Sequence, residues 1–330
     1  MTTLKEILGT SIKSVASDPS NPTNGEIWYN TTSNNFKAAE AATSGAWATG
    51  GNMGTARGSL GGAGTQTAGL AFGGGGPFAS MVMFNDTEEY DGSAWTAGAG
   101  MGTYLGLNSI GSAGTQTAGL GFGGYWYVGV ADTLEYDGSS WTAGGNLSTA
   151  RFGLGGAGTQ TAGLAFGGSV SYPPFYTATT EEYDGSTWTS GGSLNTERDG
   201  LAGAGTQTAG LAFGGGVPGP AFTVATEEYD GSAWTTVTSM NTARALLAGA
   251  GIQTAGLGFG GYPPYSGINA TEEYDGTSWT AGGNLGTSRY ALAGTGTQTA
   301  GLGFGGNPYL AATEEYAGPG AIVLKTLTTS

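Results

Sequence analysis

The chain has 330 residues, 68 of them Gly, carries a formal charge of −15 and contains neither Cys nor His. Disulfides and thiolate metal sites are thereby excluded, and imidazole, the commonest general base and metal ligand, is missing. With nine Lys and Arg against 24 Asp and Glu, the chain is a poor partner for nucleic-acid phosphates.

Gly does not recur every third residue, so a collagen-like chain is excluded, and eight Trp and sixteen Tyr supply material for a core. No run of eighteen apolar residues occurs, and the opening "MTTLKEILGTSIKSVAS" lacks the apolar centre of a signal peptide. The expectation is a soluble protein with no membrane partner.

Taken in chain order, residues 1–24 read as an N-terminal arm. "EIWYN" at 26–30, "NNFKAA" at 34–39 and "AWATGG" at 46–51 read as strands. Then one sentence is written six times. "AGTQTAGLAFGG" stands at 63–74, 157–168 and 204–215, with near-copies beginning at 113, 250 and 295. The steps are 50, 44, 47, 46 and 45 residues, the period of a four-stranded blade. Within a copy, Leu211 and Phe213 alternate with small residues, the period of a strand, and Gly210 and Ala212 leave room for a close neighbour. "TEEY" at 226–229 is a third strand, and the Asp-Gly after it predicts a two-residue type I′ turn into a fourth strand beginning at Trp234.

A double Gly closing the second strand, a Tyr in the third, a Trp in the fourth and an Arg opening the next unit together resemble the kelch repeat, over about residues 44–317. The resemblance implies an all-β fold, a kelch-like β-propeller of four-stranded blades. Five blades are complete, at about 57–98, 105–144, 151–190, 198–237 and 244–282, and a sixth begins at Arg289 but lacks its Trp. In one closure Trp47 supplies the missing strand, giving six blades. In the other, "AIVLKTL" at 321–327 supplies it, and the strands of residues 25–50 form a seventh blade that closes the ring. Seven blades are favoured, because that arrangement uses every apolar strand, with the propeller spanning 25–330.

The paired carboxylates of "EEY" invite a glycosidase reading. They recur at the same place in each blade, however, whereas an active site needs asymmetry, so no catalytic residue is expected. No metal or cofactor site is expected either, and the "GGGG" at 73–76 lacks the Lys-Ser/Thr of a phosphate loop.

The cations are more informative. All five Arg stand ten residues after a Trp, and all four Lys lie outside the repeats. Restriction to Arg implies a forked, hydrogen-bonded pairing. The expected structural ion pairs are Arg57 with Glu88, Arg151 with Glu181, Arg198 with Glu227, Arg244 with Glu272 and Arg289 with Glu314. In the second blade the Arg position holds Leu105 and the first Glu becomes Leu134, so both charges vanish together. A buried site explains this; a solvated one does not.

The connections from the double Gly to "EY" differ every time. They carry Phe78, Met81, Met83, Phe84, Trp126, Tyr127, Tyr172, Phe175, Tyr176, Phe222, Tyr262, Tyr265 and Tyr309, on the face opposite the "TQ" and "DG" turns. Aromatic, Pro-stiffened loops have the composition of a recognition surface. The ends, "DPSNPTNGEIWYNTTSNNFK" at 18–37 and "GPGAIVLKTLTTS" at 318–330, are similar to those of Gly-rich tail-fibre and other virion proteins of marine bacteriophages. That resemblance implies a non-enzymatic virion protein in a tail fibre or surface appendage. Its partners would be other virion proteins, its own copies in an oligomer, and a host-surface glycan or protein. A bacterial surface or secreted adhesion module is the alternative.

Overall fold

The computed structural model of the chain describes residues 12–20, 22, 24–41, 44–76, 82–102, 109–171, 175–263, 265–320 and 322–327. No helix occurs among them. The chain divides into two compact units, residues 46–317 and residues 1–45 with 318–330.

Residues 46–317 hold six four-stranded antiparallel sheets, a repeated-blade architecture compatible with a β-propeller. In the fourth sheet Ala202–Thr206, Ala209–Phe213, Thr226–Tyr229 and Trp234–Val237 lie side by side in chain order. Each second strand is buried over its last four residues, because Leu and Phe on one face and Gly or Ala on the other both meet neighbouring sheets. A Cβ at Gly210 would fall 2.7 Å from Leu164 Cδ2 of the preceding sheet, so Gly there sets how closely two sheets approach. The apolar core is accordingly six clusters rather than one. Each draws on two adjacent sheets, as Leu164, Phe166, Leu201, Ala212, Tyr229 and Trp234 do.

Polar bonds between sheets follow the same rule. Gln207 Nε2 donates to the carbonyls of Gly163 and Tyr183 at 3.1 and 2.7 Å. Trp234 Nε1 donates to Thr180 Oγ1 at 2.9 Å, and the Tyr229 hydroxyl to Glu182 Oε1 at 2.5 Å. The set recurs at every junction and also joins the first sheet to the last. There Gln66 reaches Gly301 and Tyr316, Trp95 reaches Thr313, and Tyr90 reaches Glu315. At the centre, six backbone amides form a cycle. Ser109 donates to Ser59, Gly153 to Ser109, Gly200 to Gly153, Leu246 to Gly200, Ala291 to Leu246 and Ser59 to Ala291, all at 2.7–2.8 Å. All six residues have φ between 51° and 62°, the left-handed conformation that turns each N–H toward the next carbonyl. Leu60, Ile110, Leu154, Leu201, Leu247 and Leu292, each the next residue in the chain, line one pocket together with this cycle.

Burial, and then the hydrogen bond to a carboxylate, push the hydroxyls of Tyr90, Tyr136, Tyr183 and Tyr229 up to about 12, and raise those of Tyr274 and Tyr316 as well. Their folded values lie above the unfolded value of about 10. The stability they contribute is therefore complete below pH 10 and is lost as pH rises toward 12. In an alkaline absorbance titration, at least these six of the sixteen tyrosines should be missing from the tyrosinate signal at pH 11 and appear only with loss of the β-sheet circular-dichroism signal. Full ionisation below pH 11 with the fold intact would contradict the burial of these six hydroxyls between sheets.

Two expectations are corrected. The Asp-Gly connection is not a two-residue type I′ turn. Tyr229 pairs with Trp234, so four residues intervene, and Asp230 Oδ1 accepts the N–H groups of Ser232 and Ala233, both at 2.8 Å. The Asp caps the turn, and only the Gly, at φ 91°, needs the left-handed region. The fourth strand of the last sheet is also not the C-terminal segment. Ala46–Thr49 pairs with Thr313–Ala317, Trp47 opposite Tyr316, as in the six-blade alternative. Ile322–Leu327 instead pairs along six residues with Asn35–Ala41. Ile27–Asn30 and Lys13–Val15 complete that sheet, the last pair parallel. Thus only the strand at 46–49 of the segment 25–50 joins the six-sheet unit, and part of the N-terminal arm is a strand. In this smaller unit, Asp18 Oδ1 accepts from Asn30 Nδ2 at 2.6 Å and Trp28 Nε1 at 3.0 Å, and those bonds hold its carboxyl below the usual range.

Candidate binding face

Five sheets carry a buried ion pair. Arg Nη2 to Glu Oε1 is 2.9 Å for Arg57–Glu88, 3.0 Å for Arg151–Glu181 and Arg198–Glu227, 3.1 Å for Arg244–Glu272 and 2.7 Å for Arg289–Glu314. All five Arg are 0% exposed. Burial pulls the guanidinium of Arg198 down to about 10 against the opposing pull of Glu227. We read it as charged, because a guanidinium fixed to a carboxylate keeps its proton. Arg198 Nη1 also donates to the carbonyls of Gly214 and Ala225, at 3.2 and 2.7 Å. The guanidinium thus ties the end of the second strand to the end of the variable loop. In the second sheet Leu134 is 0% exposed at the Glu position, while Leu105 lies outside the described residues.

The second Glu is equally committed, since Glu182, Glu228 and their equivalents accept the Tyr hydroxyl of the next sheet. Both carboxylates of an "EEY" pair thus hold a structural partner.

The variable loops follow second strands that these ion pairs and the amide cycle tie to their neighbours. Phe78, Met81 and Tyr172 lie outside the described residues. Trp126, Tyr127, Phe175 and Tyr265 are exposed at 42, 61, 56 and 95%. Met83, Phe84, Tyr176, Phe222, Tyr262 and Tyr309 are half-buried. Two loops fold into small ribbons, Tyr125–Trp126 with Val128–Gly129 and Gly216–Val217 with Ala221–Phe222. Tyr127 is the tip of the first ribbon, at φ 59°.

The loops form separate groups. Phe222 stacks edge-on to Tyr262 at 6.1 Å, and Tyr262 packs on Tyr290 at 4.9 Å. Tyr176 pairs with Ser169, whose hydroxyl donates to Asp199 Oδ2 at 2.7 Å, and burial raises the Asp199 carboxyl above its usual range. Met83, Tyr127 and Tyr309 come together with Val82, Tyr125 and Asn307 around a cavity of about 270 Å³, floored by Gly58, Ser59, Gly75 and Gly76. Sequence reasoning missed Tyr125, Asn307 and the glycine floor. The signal was present at Asn307, which follows the double Gly where other repeats have Gly, Ser or Tyr.

Comparison with protein-family models finds no match, and comparison with curated proteins finds no significant one. Among the described residues no helix is long and apolar enough to cross a membrane.

Proposed function

We propose that residues 46–317 form a closed six-bladed propeller of kelch type that acts without catalysis, as a structural protein of a bacteriophage tail fibre or surface appendage. Its variable loop face recognises a host-surface glycan or protein, or a neighbouring virion protein. One observation carries the recognition reading. The turns on one face repeat nearly residue for residue, whereas the opposite face displays Trp126, Tyr127, Phe175 and Tyr265, all substantially exposed. Large apolar side chains left in water on one face of a rigid frame mark an interaction site. The virion setting comes from the resemblance of the chain ends. Mass spectrometry of purified particles from the source should detect the chain as a stoichiometric component, and its absence would overturn that setting.

The face has its own test. Replacing Trp126, Tyr127, Phe175 and Tyr265 together with Ser should abolish attachment of the labelled chain to cells of the infected bacterium. Each change is to an exposed loop side chain and should alter stability by less than about 0.5 kcal/mol. A large fall in melting temperature with attachment intact would show that the loops are packing elements.

A further inference from the structure

We propose that the cavity bounded by Tyr125, Tyr127, Tyr309 and Asn307 binds the pyranose ring of a neutral sugar. The inference deepens the reading of the loop face as a recognition surface and rests on it. At this cavity three repeats bring together residues that differ from those at equivalent positions, Gly58, Tyr127 and Asn307. Gly58, the residue after the Arg, is Phe152, Asp199, Ala245 and Tyr290 in the third to sixth repeats. A Cβ at Gly58 would sit 3.3 Å from Asn307 Oδ1, so the small residue makes room for that amide. Asn307 is 7% exposed, and its Oδ1 meets no hydrogen-bond donor. Its backbone is pinned by the exchange of N–H and carbonyl bonds with Tyr290, at 2.7 and 3.3 Å. The amide is therefore held in place rather than free to swing into water.

The walls are aromatic. Tyr125 is fixed edge-on against Phe152 at 5.0 Å, and Tyr127 stands beside it at the ribbon tip. The electron-rich faces of such rings suit the polarised C–H face of a pyranose, whose hydroxyls then need polar partners of the kind Asn307 offers. At about 270 Å³ the cavity lies near the small end of ligand pockets, roughly 300 Å³ and upward, and so suits a single ring.

The charge of the ligand follows from the cations. Residues 46–317 contain no Lys, and their five Arg are 0% exposed. A phosphate, sulfate or sialate would meet no counter-charge on this face, and the protein's net charge of −15 repels it. Among the described residues no Asp or Glu lines the cavity. A quaternary ammonium group, the other one that aromatic cages take, has no hydrogen-bonding atom to offer the Asn307 amide.

Saturation-transfer NMR on the full chain would test this with methyl glycosides of glucose, galactose, mannose, rhamnose, fucose, N-acetylglucosamine and N-acetylgalactosamine, beside choline and sialic acid. We expect transfer to the ring protons of at least one neutral pyranoside and none to sialic acid. Affinity should fall at least tenfold in Tyr127→Ser, in Tyr309→Ser and in Asn307→Ala, each checked by its melting temperature. It should be unchanged in Ile252→Thr, a change at an exposed turn position, 53% accessible, where the other repeats carry Thr and which lies outside the variable loops. Absence of binding by every neutral pyranoside, or binding of choline alone, would overturn the proposal. Sugar binding that survives the cavity variants but is lost with Phe175 and Tyr265 would overturn the cavity while leaving the recognition face standing.

Discussion

Arg198→Leu alone should lower the unfolding free energy by about 3–5 kcal/mol, because it strands Glu227 without its counter-charge at 0% exposure. Glu227→Leu alone should cost a similar amount by stranding Arg198. The double variant should recover much of the loss, since an apolar pair of similar volume avoids the desolvation of both charges. The structure shows why recovery is incomplete but substantial. Arg198 also bonds the carbonyls of Gly214 and Ala225. The second of these keeps the Gly214 N–H, at 3.1 Å, when the Arg is removed. Glu227 Oε2 accepts from the N–H and the side-chain amide of Asn195, at 2.7 and 2.9 Å. Asn195 is exposed, so water replaces the carboxylate there. Of the two carbonyls bound by Arg198 Nη1, only that of Gly214 is left short of a donor. Leu134, 0% exposed in the second sheet, shows the site in its apolar form. Denaturant unfolding of the wild type, both singles and the double completes the cycle. A double variant no more stable than the sum of the singles would refute the pairing as the reason both charges are retained.

Much of the repeat could be read from its letters, because its constraints are local. Leu211 and Phe213 alternate with small residues, and both are 0% exposed. The joint loss of Arg and Glu in one repeat marked a buried pair. Other features were hidden because their partners lie a whole repeat away. Gln207 stands in a two-residue connection and looks like turn material, yet its amide bonds Gly163 and Tyr183 of the preceding sheet. No local pattern distinguishes a turn Gln from a clamp. The Asp-Gly turn misled for a different reason. Asp followed by Gly serves a type I′ turn and an Asp-capped four-residue turn equally well, and the Ser or Thr after the Gly is what favours the second. Its hydroxyl also bonds the carboxylate, as Ser232 Oγ does Asp230 Oδ1 at 2.7 Å. The cavity escaped because a list of variable loops does not say which of them converge. Gly58, Gly75 and Asn307 are scattered over 250 residues and meet only when the last sheet lies against the first.

The junction of last and first sheets is also where truncation should act most strongly. A fragment spanning residues 44–317 should fold with a melting temperature within a few degrees of the full chain, whereas one spanning 51–317 should fail to fold at 25 °C. The two differ by the strand Ala46–Thr49 and little else. The register was already written in the sequence, since Trp47 precedes Arg57 by the same ten residues that separate the other four Arg from a preceding Trp. The apolar C-terminal segment competed for that place. It finds a longer partner in Asn35–Ala41, whereas "AWAT" matches the fourth strand of the other repeats. Trp47 fills the cleft between two sheets, with ring centroids 4.7 Å from Phe259 and 5.0 Å from Tyr316, and its Nε1 donates to Thr271 Oγ1 at 2.9 Å. Losing one such Trp costs about 3–5 kcal/mol. Losing the strand also removes its ladder to Thr313–Ala317 and leaves that strand as an open edge, a template for aggregation. Together these losses rival the whole stability of an ordinary domain, about 5–15 kcal/mol. Circular dichroism and size-exclusion chromatography on the two fragments give the answer, and equal melting of both would show that the strand at 46–49 does not hold the last sheet to the rest.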